Sequence, residues 1–164
     1  MGRPKAAFYW ASSCGGCDIA ILAIGEKILD VAAAVDIVFW PVAMDFKYED
    51  VEGMPEQSID VCLFNGAIRN TEDEHVAKML RSKSKIMIAY GSCAYEGCIP
   101  GLANLFTMES ILDRVYKDTP STDNHQKVLP QATVTVPEGE LELPRRAPHG
   151  RADSGARVVA VPPG

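Results

Sequence analysis

The sequence predicts an α/β fold, an open parallel sheet with helices on both faces. Three observations lead there. Short apolar runs of strand type alternate along the chain with stretches of helical period. One run, Ile59 to Phe64, is apolar almost throughout, as expected of a strand covered on both faces. Glycine, asparagine or serine then closes three of these runs, the first, third and fourth, at the carboxyl end, where such sheets place their ligand loops.

The elements follow in order. Lys5 to Trp10 is an apolar, aromatic strand ended by Ser12, Ser13 and two glycines. From about Asp18 to Ala34, Ile21, Leu22, Ile24, Ile28, Leu29 and Val31 recur at near-helical spacing, with Gly25 as a tolerated weak point. Asp36 to Trp40 is a second strand, stopped by Pro41, and the polar stretch from Met44 to Ser58 reads as loop. Ile59 to Phe64 is the third strand, closed by Asn65-Gly66. Thr71 to Glu74 has the pattern of a capping box and opens a helix to about Arg81. Lys85 to Tyr90 is a fourth strand ended by Gly91, and Glu109 to Tyr116 is a further helix. A β-α-β-loop-β-α-β order requires right-handed crossovers and gives an open sheet of flavodoxin-like type.

Length and charge narrow the function classes. A chain of 164 residues suits one domain with one sizeable core. A net charge of −6 without a basic face offers nothing to meet nucleic-acid phosphates. The start of the chain carries no signal-peptide apolar run and no twin-arginine pair. Ala6 stands where a myristoylation motif wants Ser or Thr, and no stretch reaches membrane-spanning length. The expected location is the cytoplasm. Five cysteines in a reducing compartment then point to metal or redox work, not to structural disulfides.

From Arg145 the composition changes. The last 20 residues hold four Arg, one Asp and six Pro or Gly, a charge of +3, which leaves −9 on residues 1–144. The expected organisation is a domain over 1–144 and a divergent, loose tail over 145–164.

Two cysteine groups fall at carboxyl ends of strands. Cys14-Gly15-Gly16-Cys17 joins the first strand to its helix, and Ser92-Cys93 comes directly after the fourth. Two thiols in a glycine loop can turn to one metal centre, while backbone amides and the helix start favour thiolates and an anionic group. By residue chemistry alone this fits an iron–sulfur cluster, a thioredoxin-like dithiol or a zinc site. Cys62, inside Val61-Cys62-Leu63, reads as a small core thiol, and Cys98 as loop filler or a spare ligand. His75, His125 and His149 lie in polar surroundings and form no nucleophile–base series, so hydrolase chemistry has no support. A phosphate-binding GxxxxGK[ST] loop is missing too. Glu72, Asp73 and Glu74 read as a helix start favoured by the dipole.

Four segments in order, Ser13-Cys14-Gly15-Gly16-Cys17-Asp18, Phe64-Asn65-Gly66-Ala67-Ile68, Tyr90-Gly91-Ser92-Cys93-Ala94 and Gly97-Cys98-Ile99-Pro100-Gly101-Leu102-Ala103-Asn104, resemble the small subunit of nickel–iron hydrogenases. The likeness extends to the 20-kDa subunit of NADH:ubiquinone oxidoreductase and is strongest to the small (gamma) subunit of the methyl-viologen-reducing, deazaflavin-independent type. It covers roughly residues 5 to 143, Val136-Pro137-Glu138-Gly139-Glu140-Leu141 included. The resemblance implies a flavodoxin-like domain that holds a [4Fe-4S] cluster beside a nickel–iron large subunit. Electrons would pass on to an iron–sulfur/flavin subunit of heterodisulfide reductase type. By matching position, Cys14, Cys17 and Cys93 would be three of four ligands, Gly91 the tight exit of the strand, and Asn65 and Gly66 part of the same loop edge. The family's fourth ligand lies in a Pro-Gly-Cys-Pro-Pro segment that has no counterpart here. Cys98, where the family usually has glycine, is then a possible fourth. The change at Arg145 suggests a frameshifted or truncated product. Without its cluster, such a chain would remain an interaction domain.

Overall fold

The computed structural model describes residues 2–145. Its centre is a four-stranded, wholly parallel sheet in the order β2-β1-β3-β4, built from β1 (Lys5–Trp10), β2 (Asp36–Phe39), β3 (Ile59–Asn65) and β4 (Ser84–Tyr90). The open parallel sheet expected from the alternating pattern is therefore present. Chain direction explains the strand order. After β2 pairs on one side of β1, the chain crosses back and lays β3 on the other side, so the sheet has a switch point between β1 and β3.

Alternation along β1 divides the core in two. Ala7 and Tyr9 face one side, where Phe39, Cys62, Phe64 and the helical residues Val51, Val76, Met79 and Leu80 close over them. Ala6 and Phe8 face the other with Trp40, and Ile21, Val35, Ile37, Val61 and Leu63 pack there only partly buried. The first side carries α3 (Tyr48–Glu52) and α4 (Thr71–Lys83). The second takes Ile21 of α1 (Gly16–Leu22), and Phe8 stacks on Trp40 with centroids 4.4 Å apart.

Three local expectations change. The helix foreseen over 18–34 is broken: α1 ends at Leu22, a 3-10 turn spans Gly25–Lys27, and α2 runs Ile28–Ala34. Gly25 at φ +66° is the cause, because the left-handed conformation ends an α-helix. The polar stretch 44–58 contains α3, started by the Lys47 amide donating to Asp50 Oδ2 at 2.8 Å. Asn70, not Thr71, caps α4: its Oδ1 accepts from the Asp73 amide at 2.8 Å. Thr71 Oγ1 instead accepts from the Arg145 amide at 3.1 Å, and Arg145 O accepts from the Thr71 amide at 2.7 Å, so Arg145 is tied to the start of α4.

After β4 come two helices of one turn, α5 (Ser92–Glu96) and α6 (Cys98–Gly101), then α7 (Met108–Tyr116) and an antiparallel hairpin of β5 (Thr133–Val136) and β6 (Gly139–Glu142). The hairpin was not foreseen. Its signal was the alternating Thr-Val-Thr-Val followed by Pro137-Glu138-Gly139. The tail from residue 146 onward lies outside the described residues, as does His149. Among the described residues no helix is long and apolar enough to cross a membrane.

Candidate metal centre

Register brings the sequence-selected residues to one edge. Trp10 pairs with Asn65, and Asn65 with Tyr90, so β1, β3 and β4 end level with one another. The Cys14–Cys17 loop leaves β1 there, Gly66 leaves β3, and Gly91 and Cys93 leave β4, on either side of the switch point. Cys62 does not join them. It is fully buried within β3, and burial pushes its thiol up to about 12.

Small residues admit this convergence. Gly91 has φ +85°, and a β-carbon on it would collide with Cys17 Sγ. Gly15, at φ +77°, lies so close under the Trp10 indole that a β-carbon would overlap the ring, while Trp10 Nε1 donates to Ser13 O at 3.2 Å. Gly66 sits against the backbone leaving β1, where a β-carbon would lie 2.8 Å from the Ala11 carbonyl carbon. Ser12 and Ala67 exchange amide bonds at 2.9 and 3.2 Å. Ser12 Oγ donates to Asp73 Oδ2 at 2.8 Å, which fastens the cysteine loop to the start of α4.

The thiols form one electrostatic group. Cys93 lies within the influence of Cys98, Cys14 and Cys17, and it shares a hydrogen bond with Cys98. Desolvation raises the Cys93 thiol, with Cys98 and Cys14 acting in the same sense. Cys17 is raised by desolvation, then by Cys14 and Asp18. For these two cysteines the expected bias toward thiolate is reversed: desolvation and crowding of like groups outweigh the glycine-loop amides. Cys14 and Cys98 are exposed, Cys17 and Cys93 half-buried. Among the described residues, no three His, Cys, Asp or Glu side chains converge on the position of a single ion.

Beneath the thiols lies a buried polar triad. Asp18, 2% exposed, accepts from Trp40 Nε1 at 2.9 Å and from Asn65 Nδ2 at 2.7 Å. The carboxylate thereby fixes the Asn65 amide, whose Oδ1 is buried without a partner on the side of Gly91. Sequence reasoning selected Asn65 but read Asp18 only as part of a motif and passed over Trp40. The available signal was Asp18 at i−3 from the inward-facing Ile21, an acid on the core side of an amphipathic helix. Ile99, Leu102, Leu105 and Phe106, in the segment that follows Cys98, are 56–76% exposed.

The donor set, an edge of soft thiols with glycine cradles and an orphaned acceptor, fits an iron–sulfur group better than a hard cation. Residues 14–140 match the family described as NADH ubiquinone oxidoreductase, 20 Kd subunit. The chain is 45% identical over 141 residues to the iron-sulfur subunit of the F420-non-reducing hydrogenase of Archaeoglobus profundus, covering 85% of this chain and 44% of that protein. It is 36% identical over 166 residues to a subunit of the F420-non-reducing hydrogenase of Methanothermobacter marburgensis, covering 94% and 52%. The chain thus spans about half the length of these relatives. In fold it is similar to a chain in the crystal structure of an NAD+-reducing [NiFe]-hydrogenase in the H2-reduced state. The TM-score is 0.68 at 24% identity, covering 90% of this chain and 75% of that one. The chain belongs to the NADH ubiquinone oxidoreductase 20 Kd subunit family, with subunits of F420-non-reducing hydrogenases among its relatives.

Proposed function

We propose that this chain is the electron-transfer small subunit of a hydrogenase-type complex, in which Cys14, Cys17 and Cys93 hold a [4Fe-4S] cluster. The observation that carries the proposal is the gathering of thiols from two separate strand ends at the switch-point edge, around glycines that admit no side chain. Residues 1–144 would form the cluster-bearing unit. When bound, the cluster supplies a one-electron carrier whose potential depends on net charge, hydrogen bonds and solvent access. The chain's own residues supply the remainder. Cys17 and Cys93 must release protons to ligate, and their raised thiols make loading favour alkaline pH. Gly91 and Gly15 keep the space open, Asn65 and Gly66 line it, and Asp18 locks the Asn65 amide.

The large subunit, carrying a nickel–iron site, would cover the apolar ridge at Ile99, Leu105 and Phe106, a surface too greasy to stay wet. An iron–sulfur/flavin subunit of heterodisulfide reductase type would take the electrons onward. Five free cysteines fit a reducing, cytoplasmic setting. The thiol–disulfide reading accounts for Cys14 and Cys17 but gives no role to Cys93, which the fold brings to the same edge. Single-ion zinc is disfavoured because the thiols do not converge on one point, whereas a cluster takes one thiolate per iron.

The test is iron and acid-labile sulfide per chain after anaerobic reconstitution, with EPR of the reduced form. About four of each with a reduced-state signal is expected. A well-folded chain that takes up no iron would overturn the proposal.

A further inference from the structure

We infer that Trp10 is a positioning residue for the proposed cluster, its indole clamping the loop that presents Cys14 and Cys17; the assignment rests on the cluster reading above. Trp10 is the last residue of β1, four positions before Cys14. Strand alternation puts it on the same face as Ala6 and Phe8, which the core buries to 2% and 7%. Trp10 is instead 39% exposed and, among the described residues, belongs to neither buried cluster. Core packing therefore does not account for where this indole lies.

Two contacts to the cysteine loop do. The benzenoid ring lies against Gly15, where a β-carbon would overlap Cζ2 and Cη2 and stand 2.9 Å from Cε2. Nε1 donates to Ser13 O at 3.2 Å. The indole thus grips the carbonyl before Cys14 and the glycine after it. Only tryptophan joins so wide an apolar face to a ring N–H donor. The grip extends to Cys17, because Gly15 O accepts from the Ile19 amide at 3.1 Å and so starts α1, whose first turn carries that cysteine. At its other end the clamp is anchored in the sheet: Trp10 pairs with Asn65, and the Ala11 amide donates to Asn65 O at 2.7 Å. A loop holding two adjacent glycines is otherwise free to wander, and ordering it when iron arrives would cost binding free energy. A clamp already in place before loading removes that cost and gives the two thiols one presentation. The cluster's hydrogen bonds and solvent access, and hence its potential, then depend on a side chain that touches no iron.

Trp10→Phe and Trp10→Leu test the assignment in the full chain, handled anaerobically. Phenylalanine keeps a ring for Gly15 but cannot donate to Ser13 O, and leucine loses both contacts. Iron retained under a chelator should fall in the order wild type, Trp10→Phe, Trp10→Leu. The iron that remains should show shifted EPR g-values and a shifted midpoint potential, which a general loss of stability would not produce. In the iron-free chain, Cys17 should alkylate faster in Trp10→Leu than in wild type, while Cys62, enclosed by the core, stays unreactive in both. Equal iron retention, EPR, potential and Cys17 alkylation in wild type and Trp10→Leu would overturn the assignment and leave the cluster in place. Exposure of Cys62 together with Cys17 would overturn it too, since Trp10 would then be holding the core and not the loop. A wild type that takes up no iron would remove the cluster reading, and the alkylation comparison would still decide whether Trp10 holds the loop.

Discussion

Gly91 and Cys17, on loops that leave different strands, approach so closely that a β-carbon on Gly91 would overlap Cys17 Sγ. The contact ties the exit of β4 to the exit of β1 across β3, so the two halves of the cysteine group have one relative position. It also makes position 91 doubly demanding, since φ there is +85°.

Gly91→Ala should therefore lose iron loading while the chain stays folded. The added methyl must displace Cys17 Sγ, and the left-handed backbone adds roughly 1–2 kcal/mol. Gly25→Ala is the control, because Gly25 has the same kind of backbone, φ +66°, but open space around it. It should share the modest loss of stability and keep its iron. Equal iron content in the two variants would show that the contact with Cys17 does not govern the site.

Asp18 predicts a larger change in stability. Its carboxylate is the partner of both Trp40 Nε1 and Asn65 Nδ2, all three groups being buried. Asp18→Ala leaves two buried donors unpaired, each costing about 1–3 kcal/mol, so a fall of about 3 kcal/mol in urea unfolding is expected. Trp40 fluorescence should shift as its indole loses the bond. A variant within about 0.5 kcal/mol of wild type, the size of an ordinary surface substitution, would mean that water replaces the carboxylate and that the triad is not structural.

How far the sequence reveals this arrangement depends on the kind of interaction. The β-strands were legible because an apolar run such as Ile59–Phe64 records burial directly, and parallel order followed from the alternating elements. The common edge of Cys14, Cys17 and Cys93 was legible because ligand loops follow strand ends, and the register of Trp10, Asn65 and Tyr90 levels those ends, whereas Asn65 and Gly91 were selected through the family resemblance. The Gly25 break was underestimated: helical spacing continued on both sides, and only the backbone angle shows that the chain turns there. The Asp18–Trp40–Asn65 triad was not legible because its members are 22 and 47 positions apart, and no local period records such a contact.

Cys62 gives a prediction in alkali. Burial holds its thiol at about 12 in the folded chain against an ordinary value of 9.0. The sign follows from proton uptake: above pH 9 the unfolded chain releases this proton and the folded chain keeps it. The contribution is whole below pH 9 and is lost as pH rises toward 12. Cys62→Ala should cost about 1 kcal/mol at neutral pH by leaving a small void, yet lose less stability than the wild type as pH climbs from about 9 to about 11. Tyr9 and Tyr48, also raised by burial, leave a residual slope. Urea midpoints of the reduced, iron-free chain across that range decide it, and parallel slopes would refute the assignment of alkaline loss to Cys62.

The apolar ridge after Cys98 gives the last prediction. Ile99 is 76% exposed, Leu105 75% and Phe106 62%, all within the segment that follows Cys98. Side chains this exposed contribute little to the folded monomer, so Leu105→Asp should change unfolding by less than about 0.5 kcal/mol. At an interface, the same change buries an unpaired carboxylate against apolar surface, which costs several kcal/mol and abolishes a typical complex. Tagged chain co-produced with the large subunit should therefore recover its partner as wild type and not as Leu105→Asp, with both forms folded by circular dichroism. Undiminished recovery with Leu105→Asp and with Ile99→Asp would place the partner on another face, leaving the β3–β4 side, where Ile86 is 51% exposed, as the next surface to probe.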